Sequence, residues 1–233
     1  VDNLPVRATT TTTTSSANVV KEWKKPDDVA PINEGFVIPS QVNYVGMGGP
    51  ILVPGSTVKG SYAVAARHLS TGHLWDQVRV VGGAYGGFGR FSEASGRFIY
   101  LSYRDPNCID TINVYDSSPD ALTETELSSE DLLQAVIGAV GDLDAPLSAD
   151  HRGFVSLVQY LNGQTPADRQ RWRSEVLATQ GSDFHEFAEH LRKLRETGSI
   201  VVFGTQSAID SANSKLPVNR QMKVEQAMQG SKK

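Results

Sequence analysis

The stretch that decides the fold reads DQVRVVGGAYGGFGRF and occupies residues 76–91. It holds five glycines, yet valine, tyrosine and phenylalanine, which favour strands, stand around them. Glycine inside a strand weakens the strand and usually marks a bulge or a place where another backbone comes close. Arg79 stands before the glycine cluster and Tyr85 stands within it. The residues therefore suggest the hypothesis that a peptide lies here, held by Arg79 and Tyr85.

A β-hairpin is predicted in and after the glycine cluster. Strands are expected at about 84–91 and 97–103, and the intervening residues 92–96 have the length of a hairpin loop and include a glycine. Upstream, apolar residues recur every three or four positions in residues 57–70, which predicts a helix. A further short helix through Trp75 is expected to lead into the glycine stretch.

The other elements place a strand early in the chain and helices late. Residues 36–45 include alternating apolar and polar side chains and predict a strand, which Gly46 and the glycines after it are expected to end. A short buried strand is predicted at 199–203. Helices are predicted to start at Asn107, Ser128, Ser148, Thr165, Ser182 and Gln206. Because strands and helices are segregated along the chain, the pattern predicts an α+β fold, with an antiparallel sheet covered by helices on one side.

Composition divides the chain into three segments. Residues 1–34 include an unbroken run of threonines at 9–14, which cannot bury enough apolar area to offset the entropy of ordering, and they are predicted to form an extended linker or arm. Residues 35–216 are predicted to form the α+β domain, and residues 217–233 a polar tail. No signal or transit peptide pattern follows Val1, which is typical of a mature segment or of a piece of a longer protein.

Charge and composition exclude several classes of function. The net charge is −4 and no basic run occurs before Lys232 and Lys233, so nucleic-acid binding is not expected, since it needs clustered positive charge. No apolar run approaches the roughly 20 residues that span a bilayer. Cys108 is the single cysteine, so an internal disulfide is impossible. This suits a reducing or organellar interior, and Cys108 is expected to be a small buried apolar residue.

The glycine cluster does not have the spacing of a nucleotide-binding loop. Such loops follow the patterns G-x-G-x-x-G or G-x-x-x-x-G-K-[ST] and lead into a helix. Here Gly87 and Gly89 are followed by Ser92 at the position of the third glycine, and the next predicted element is a strand. Nucleotide binding is therefore not expected.

A second stretch, residues 185–190, reads HEFAEH and only approaches a zinc-protease motif. The motif H-E-x-x-H needs a histidine at the position of Glu189, and the inverted motif H-x-x-E-H needs one at the position of Glu186. The apolar face of the predicted helix also leaves His185 on the solvated side. No metal site is expected, and because no G-x-S-x-G occurs either, the chain alone is predicted to catalyse nothing.

Arg79 and Tyr85 remain as candidate site residues. An arginine offers a fork of N–H donors and a tyrosine one O–H donor. A peptide carbonyl, or the oxyanion that it becomes under attack, accepts from such groups. The structural alternative is that Arg79 pairs with a carboxylate such as Asp76 while Tyr85 packs in a core. The residues alone leave both interpretations open.

Four short segments resemble one family of enzymes. They read RVVGGAYGG at 79–87, SYRDP at 102–106, VIPSQVNYV at 37–45 and LWD at 74–76. Together they resemble the C-terminal half of the presequence proteases, particularly the plant and algal forms. These are organellar members of the pitrilysin and insulinase-like zinc metalloendopeptidases. The resemblance covers residues 35–213 and identifies them as the last domain of that half.

The resemblance implies an enzyme of two similar halves joined by a hinge, each half made of two α+β domains. Zinc would be bound through an inverted H-x-x-E-H motif in the N-terminal half, which this chain lacks. The substrates would be unstructured peptides, including cleaved targeting presequences, in the mitochondrial matrix, the chloroplast stroma or both.

By the same resemblance, Arg79 and Tyr85 would reach the substrate beside the scissile bond. The chain would wall one side of a closed chamber, bind the substrate backbone and be inactive without the other half. The substrate-binding set would be Arg79, Tyr85, Gly82, Gly83, Gly86 and Gly87, with the glycines allowing a substrate strand to come close. Two rival hypotheses are a non-catalytic structural subunit on the same fold and a stand-alone peptide-binding module.

Overall fold

The computed structural model describes residues 32–53, 56–124 and 127–227. The linker or arm predicted at 1–34 therefore lies outside the described residues, apart from its last three positions.

Within the described residues, six strands form one mixed sheet, in the order β3-β4-β2-β5-β1-β6. The strands are β1 (Glu34–Val37), β2 (Tyr44–Pro50), β3 (Gly86–Ser92), β4 (Arg97–Tyr103), β5 (Ser199–Gly204) and β6 (Lys223–Gln226). The pairs β3–β4, β4–β2 and β2–β5 are antiparallel, whereas β1 pairs in parallel with both β5 and β6. The predicted hairpin is confirmed as β3 and β4. The predicted α+β class is confirmed as well, with two parallel pairings that the sequence did not indicate.

The helices follow the hairpin for the most part, as predicted. They are α1 (Ser61–Thr71), a π-helix (Trp75–Val81), α2 (Ile109–Glu124), α3 (Ser129–Leu143), α4 (Ala149–Leu161), α5 (Pro166–Leu177), α6 (Gly181–Arg192), α7 (Leu194–Thr197), α8 (Gln206–Lys215) and a 3-10 turn (Val218–Arg220). Two predicted starts are confirmed by capping boxes, in which the hydroxyls of Ser128 and Thr165 accept from the third backbone N–H of the helix. None of the described helices combines the length and apolarity needed to cross a bilayer.

The helices cover one face of the sheet. Along β4, residues alternate strictly between buried and exposed, with Phe98 and Tyr100 fully buried beneath the helices. Tyr100 stacks on Tyr115 of α2 with ring centroids 4.9 Å apart, and its hydroxyl lies 2.6 Å from that of Ser118. Cys108 lies in the same core, where burial raises the pKa of its thiol to about 12, so it is the inert buried residue that the sequence predicted.

The structure corrects the predicted strand at 36–45. Two strands replace it, and Gly46 lies inside β2 rather than beyond its end. A side chain at Gly49 would meet backbone and side-chain atoms of Gly198 and Leu194 at 3.3 Å. Glycine therefore allows a helix end to approach the strand, and this contact is invisible in the local sequence.

The structure also corrects the predicted polar tail at 217–233. Residues Lys223–Gln226 form β6, and the side-chain amide of Asn213 ties the segment down by donating to the carbonyl of Met222 and accepting from its N–H. Arg220 forms a nearly buried, two-pronged ion pair with Asp116. Asp116 and the pairing strand β1 are far away in sequence, so the local sequence indicated only a polar tail.

Candidate functional site

A π-helix carries the first candidate residue, Arg79. The helix runs from Trp75 to Val81, and the backbone N–H of Gly82 donates to the carbonyl of Gln77, five residues earlier, at 2.9 Å. Short π turns are rare and are frequent at functional sites. The sequence predicted a short helix here but not its π geometry, because apolar spacing over seven residues does not separate the two forms.

The side chain of Arg79 lies on the face of Trp75. The guanidinium carbon is 3.9 Å from the centroid of the indole ring, which is a close cation–π contact. Among the described residues Arg79 forms no ion pair, so the alternative in which it pairs with Asp76 is not observed. Trp75 was missed as a site residue, although its place four residues before Arg79 on a helix is a signal that could have found it.

The turn between the π-helix and β3 is rigidly hydrogen-bonded. The side-chain amide of Asn107 donates to the carbonyl of Gly82 at 2.6 Å, and the N–H of Gly83 donates to the carbonyl of Arg79 at 3.0 Å. Gly83 has a φ of +77°, a conformation that favours glycine. Arg79 and Tyr85 are therefore held at a set separation by backbone geometry.

Tyr85 is exposed rather than packed in a core. Its side chain is 67% accessible, which excludes the structural alternative of a buried tyrosine. Its ring contacts that of Tyr103 edge-on, with centroids 5.8 Å apart, and its N–H donates to the Tyr103 carbonyl at 3.0 Å. The phenol is thus supported from one side, while most of its surface faces solvent.

The glycines of the cluster allow close packing inside the domain. A Cβ atom on Gly87 would lie 2.7 Å from the Cβ of Val78 and 3.0 Å from the carbonyl oxygen of Leu74, so glycine lets β3 lie against the π-helix. A Cβ on Gly86 would lie 2.6 Å from the ring of Phe88. The hypothesis that these glycines admit a substrate strand stays a prediction, because their missing side chains would point toward protein atoms.

The turn after β4 adds a residue that the sequence did not single out. Arg104 has a φ of +49°, which a non-glycine residue rarely adopts and which often occurs near functional sites. Its guanidinium carbon lies 5.8 Å from the centroid of the Tyr103 ring. The turn is held by the buried carboxylate of Asp105, which accepts from the N–H of Asn107 and the hydroxyl of Thr111 at 2.9 and 2.7 Å. No local sequence signal marks Arg104, because its conformation depends on this buried anchor.

Comparison with known proteins supplies the family. Residues 33–206 match the family model described as the PreP C-terminal domain. The chain belongs to that family. It is 45% identical over 182 residues to presequence protease 1, chloroplastic/mitochondrial, of Arabidopsis thaliana, an alignment that covers 78% of this chain and 17% of the relative. It is also 32% identical over 177 residues to protein HypA of Clostridium perfringens, covering 76% of this chain and 18% of that relative.

Solved structures of other proteins share the fold of this PreP C-terminal domain. The inactive domain of a peptidase M16 from Pseudomonas fluorescens aligns over 76% of this chain and 44% of its own, with a TM-score of 0.59 and 14% identity. Pitrilysin aligns over 84% of this chain and 22% of its own, with a TM-score of 0.56 and 13% identity. At these identities the likeness establishes the fold alone. The chain spans less than a fifth of the length of the two sequence relatives above.

The described part of this PreP C-terminal domain offers no cluster of three His, Cys, Asp or Glu side chains that could hold a metal ion. Glu186 accepts hydrogen bonds from Lys59 and Tyr62 at 2.5 and 2.7 Å, and the bond from Lys59 is the main reason that the pKa of Glu186 lies below its usual value. Glu186 and His190 both contact the Tyr62 hydroxyl, whereas His185 and Glu189 are exposed. Among the described residues, the HEFAEH stretch therefore does not bring together the ligands that a zinc ion needs.

Proposed function

We propose that this chain is the C-terminal, non-zinc-binding domain of an organellar zinc metalloendopeptidase that degrades unstructured peptides such as cleaved targeting presequences. In that enzyme it walls one side of the chamber and binds the substrate backbone. The single observation that carries the proposal is the pair of donors, the half-buried Arg79 on the face of Trp75 and the exposed Tyr85, joined by one hydrogen-bonded turn.

The chemistry of the two side chains suits a peptide backbone. Arg79 is held by an aromatic face, which orients the guanidinium without using its N–H donors, and Tyr85 presents its O–H on an exposed ring. Both groups can donate to a substrate carbonyl and donate more strongly to the oxyanion that forms under attack. Because every peptide has carbonyls, donors of this kind recognise a substrate with little regard to its sequence.

The zinc of such an enzyme has no ligands among the described residues of this chain. We therefore assign the zinc, and the base that works with it, to the N-terminal half of the same polypeptide, as the partner of this domain. The names of two relatives support an organellar localisation. They are presequence proteases described as chloroplastic/mitochondrial in Arabidopsis thaliana and as mitochondrial in Yarrowia lipolytica. The mitochondrial matrix and the chloroplast stroma are the proposed compartments.

The test joins this domain to the N-terminal half of the protease and measures peptide cleavage. We expect Arg79→Ala and Tyr85→Phe each to lower kcat/KM by about a hundredfold, because each removes one donor to the developing charge. Matched controls are Arg152→Ala and Tyr160→Phe, which alter an exposed arginine and an exposed tyrosine on α4 and should keep full activity. The isolated chain serves as the blank.

Full kcat/KM in both site variants would exclude the proposed role of this domain. A non-catalytic structural subunit of the same fold would behave in that way. If the isolated chain instead bound peptides as tightly as the joined enzyme does, a stand-alone peptide-binding module would be the better description.

A further inference from the structure

The sheet face turned away from the helices is unexpectedly apolar. A solvated face of an antiparallel sheet normally carries polar residues. Here Leu101 and Tyr103 of β4, Phe88 of β3 and Phe203 of β5 all project outward, each 40–43% exposed. A contiguous exposed apolar surface of this kind marks a binding site more often than chance.

A cavity of about 390 Å³ lies in the middle of this face, and we name it the outer groove. Its lining includes Gly46, which pairs with Leu101 on one neighbouring strand and with Val201 on the other. The missing side chain of Gly46 leaves the space open, while Phe88 and Phe203 contribute to the lining on either side. The lining contains no charged residue.

Aromatic rings connect the outer groove to the Arg79 and Tyr85 site. Tyr44 and Tyr103 both line the groove and contact each other edge-on with centroids 5.6 Å apart. Tyr103 in turn contacts Tyr85 at 5.8 Å. An extended peptide advances about 3.3 Å per residue, so a peptide held at Tyr85 reaches the groove within about three or four residues.

We propose that the outer groove binds one apolar side chain, aliphatic or aromatic, of the peptide whose backbone Arg79 and Tyr85 hold. The inference rests on the proposed function and adds a selective element to it. Side chains that donate to a peptide backbone bind peptides of any sequence. An uncharged groove lined by Gly46 and apolar side chains instead favours a large apolar residue at one position of the peptide. The occupant is assigned as a peptide side chain because the groove is concave and Tyr103, which lines it, also contacts Tyr85, the proposed donor to the peptide backbone.

The experiment uses the complete protease that contains this domain and pairs of peptides that differ only by Phe or Ser at one position near the cleaved bond. In Gly46→Val, the new Cβ would meet its nearest neighbours at 3.5 Å or more, which is ordinary van der Waals contact, and the added methyl groups are intended to fill the groove. We expect this variant, and Leu101→Ala, to reduce the Phe-over-Ser preference in kcat/KM by about tenfold at one position. The control is Ile99→Ala, an outward residue of β4 with 43% exposure that does not line the groove and should keep the preference.

The outcomes separate this inference from the proposed function. Tyr85→Phe tests the backbone site, and it should lower cleavage of the Phe and Ser peptides by the same factor. If it does so while Gly46→Val and Leu101→Ala keep the wild-type preference, only the groove inference is overturned. An equal loss of kcat/KM for both peptides in the two groove variants would also overturn the groove inference. Such a result would mean that another domain or a second copy covers this face. If neither Tyr85→Phe nor Arg79→Ala changes cleavage of either peptide, the proposed function itself is overturned.

Discussion

The guanidinium of Arg79 is positioned by an aromatic ring rather than by a carboxylate. A carboxylate would occupy two N–H donors and neutralise the charge, whereas the face of Trp75 fixes the guanidinium and leaves its donors free. The turn before β3 contributes a second donor, the Tyr85 hydroxyl, on a ring that contacts Tyr103. Preorganised donors of this kind cost little reorganisation when a substrate arrives.

Trp75→Ala should lower kcat/KM of the complete protease by about two- to tenfold, since a partly exposed cation–π contact contributes about 0.5–1 kcal/mol or somewhat more. Trp75→Phe keeps a ring under the guanidinium and should retain most of the activity. The loss should vanish when Trp75→Ala is made together with Arg79→Ala, because Trp75 acts through Arg79. An equal loss in the Arg79→Ala background would show that Trp75 acts in some other way.

At the scale of elements, the site depends on the close approach of the π-helix and β3. Gly87 makes that approach possible, because any Cβ there would collide with Val78 on the helix. The turn that follows the helix is then closed by Asn107, which begins the segment leading into α2. The π-helix and β3, which are consecutive in the chain, therefore meet at one short turn, which explains why Arg79 and Tyr85 lie close together in sequence.

Gly87→Ala should lower the free energy of unfolding by about 1–3 kcal/mol, the usual cost of overpacking a tight contact. Gly141→Ala is the control, because that position lies in α3 with nothing within 4 Å of the added Cβ, and alanine there should raise helix stability by about 0.5–1 kcal/mol. Urea denaturation of this chain measures both. Equal stability of Gly87→Ala and the wild type would show that β3 and the π-helix can separate without cost.

At the scale of the whole molecule, half-buried histidines make the fold sensitive to acid. His73 Nε2 is buried and has no hydrogen-bond partner among the described residues, and burial lowers the pKa of His73 below its usual value. Burial also lowers the pKa values of His68 and His190. Between the folded and unfolded pKa values the unfolded chain binds more protons, so stability rises with pH in that interval.

The free energy of unfolding should therefore fall as the pH is lowered below about 6.5, the unfolded pKa of histidine. Thermal unfolding between pH 7.5 and 5 measures the effect. His73→Gln should make the decrease smaller, whereas His151→Gln, at an exposed position of α4, is the control and should keep the wild-type decrease. A wild-type pH dependence in His73→Gln would rule out His73 as a contributor.

The sequence by itself determined the features that depend on neighbours in the chain. The caps at Ser128 and Thr165 and the hairpin of β3 and β4 were predictable, because each is formed by residues a few positions apart. The family was predictable from the segments around Arg79 and Tyr85, since the residues of the site are themselves close together in the chain.

Only the tertiary structure decided the features that depend on distant residues. The strand β6 exists because β1, nearly 190 residues earlier, offers a free edge (Glu34 pairs with Lys223), and Gly46 lies inside a strand because β4 and β5 flank it. The outer groove has the same origin, since its wall combines side chains from β2, β3, β4 and β5. Local propensity cannot anticipate such surfaces, because the packing that creates them is absent until the chain is folded.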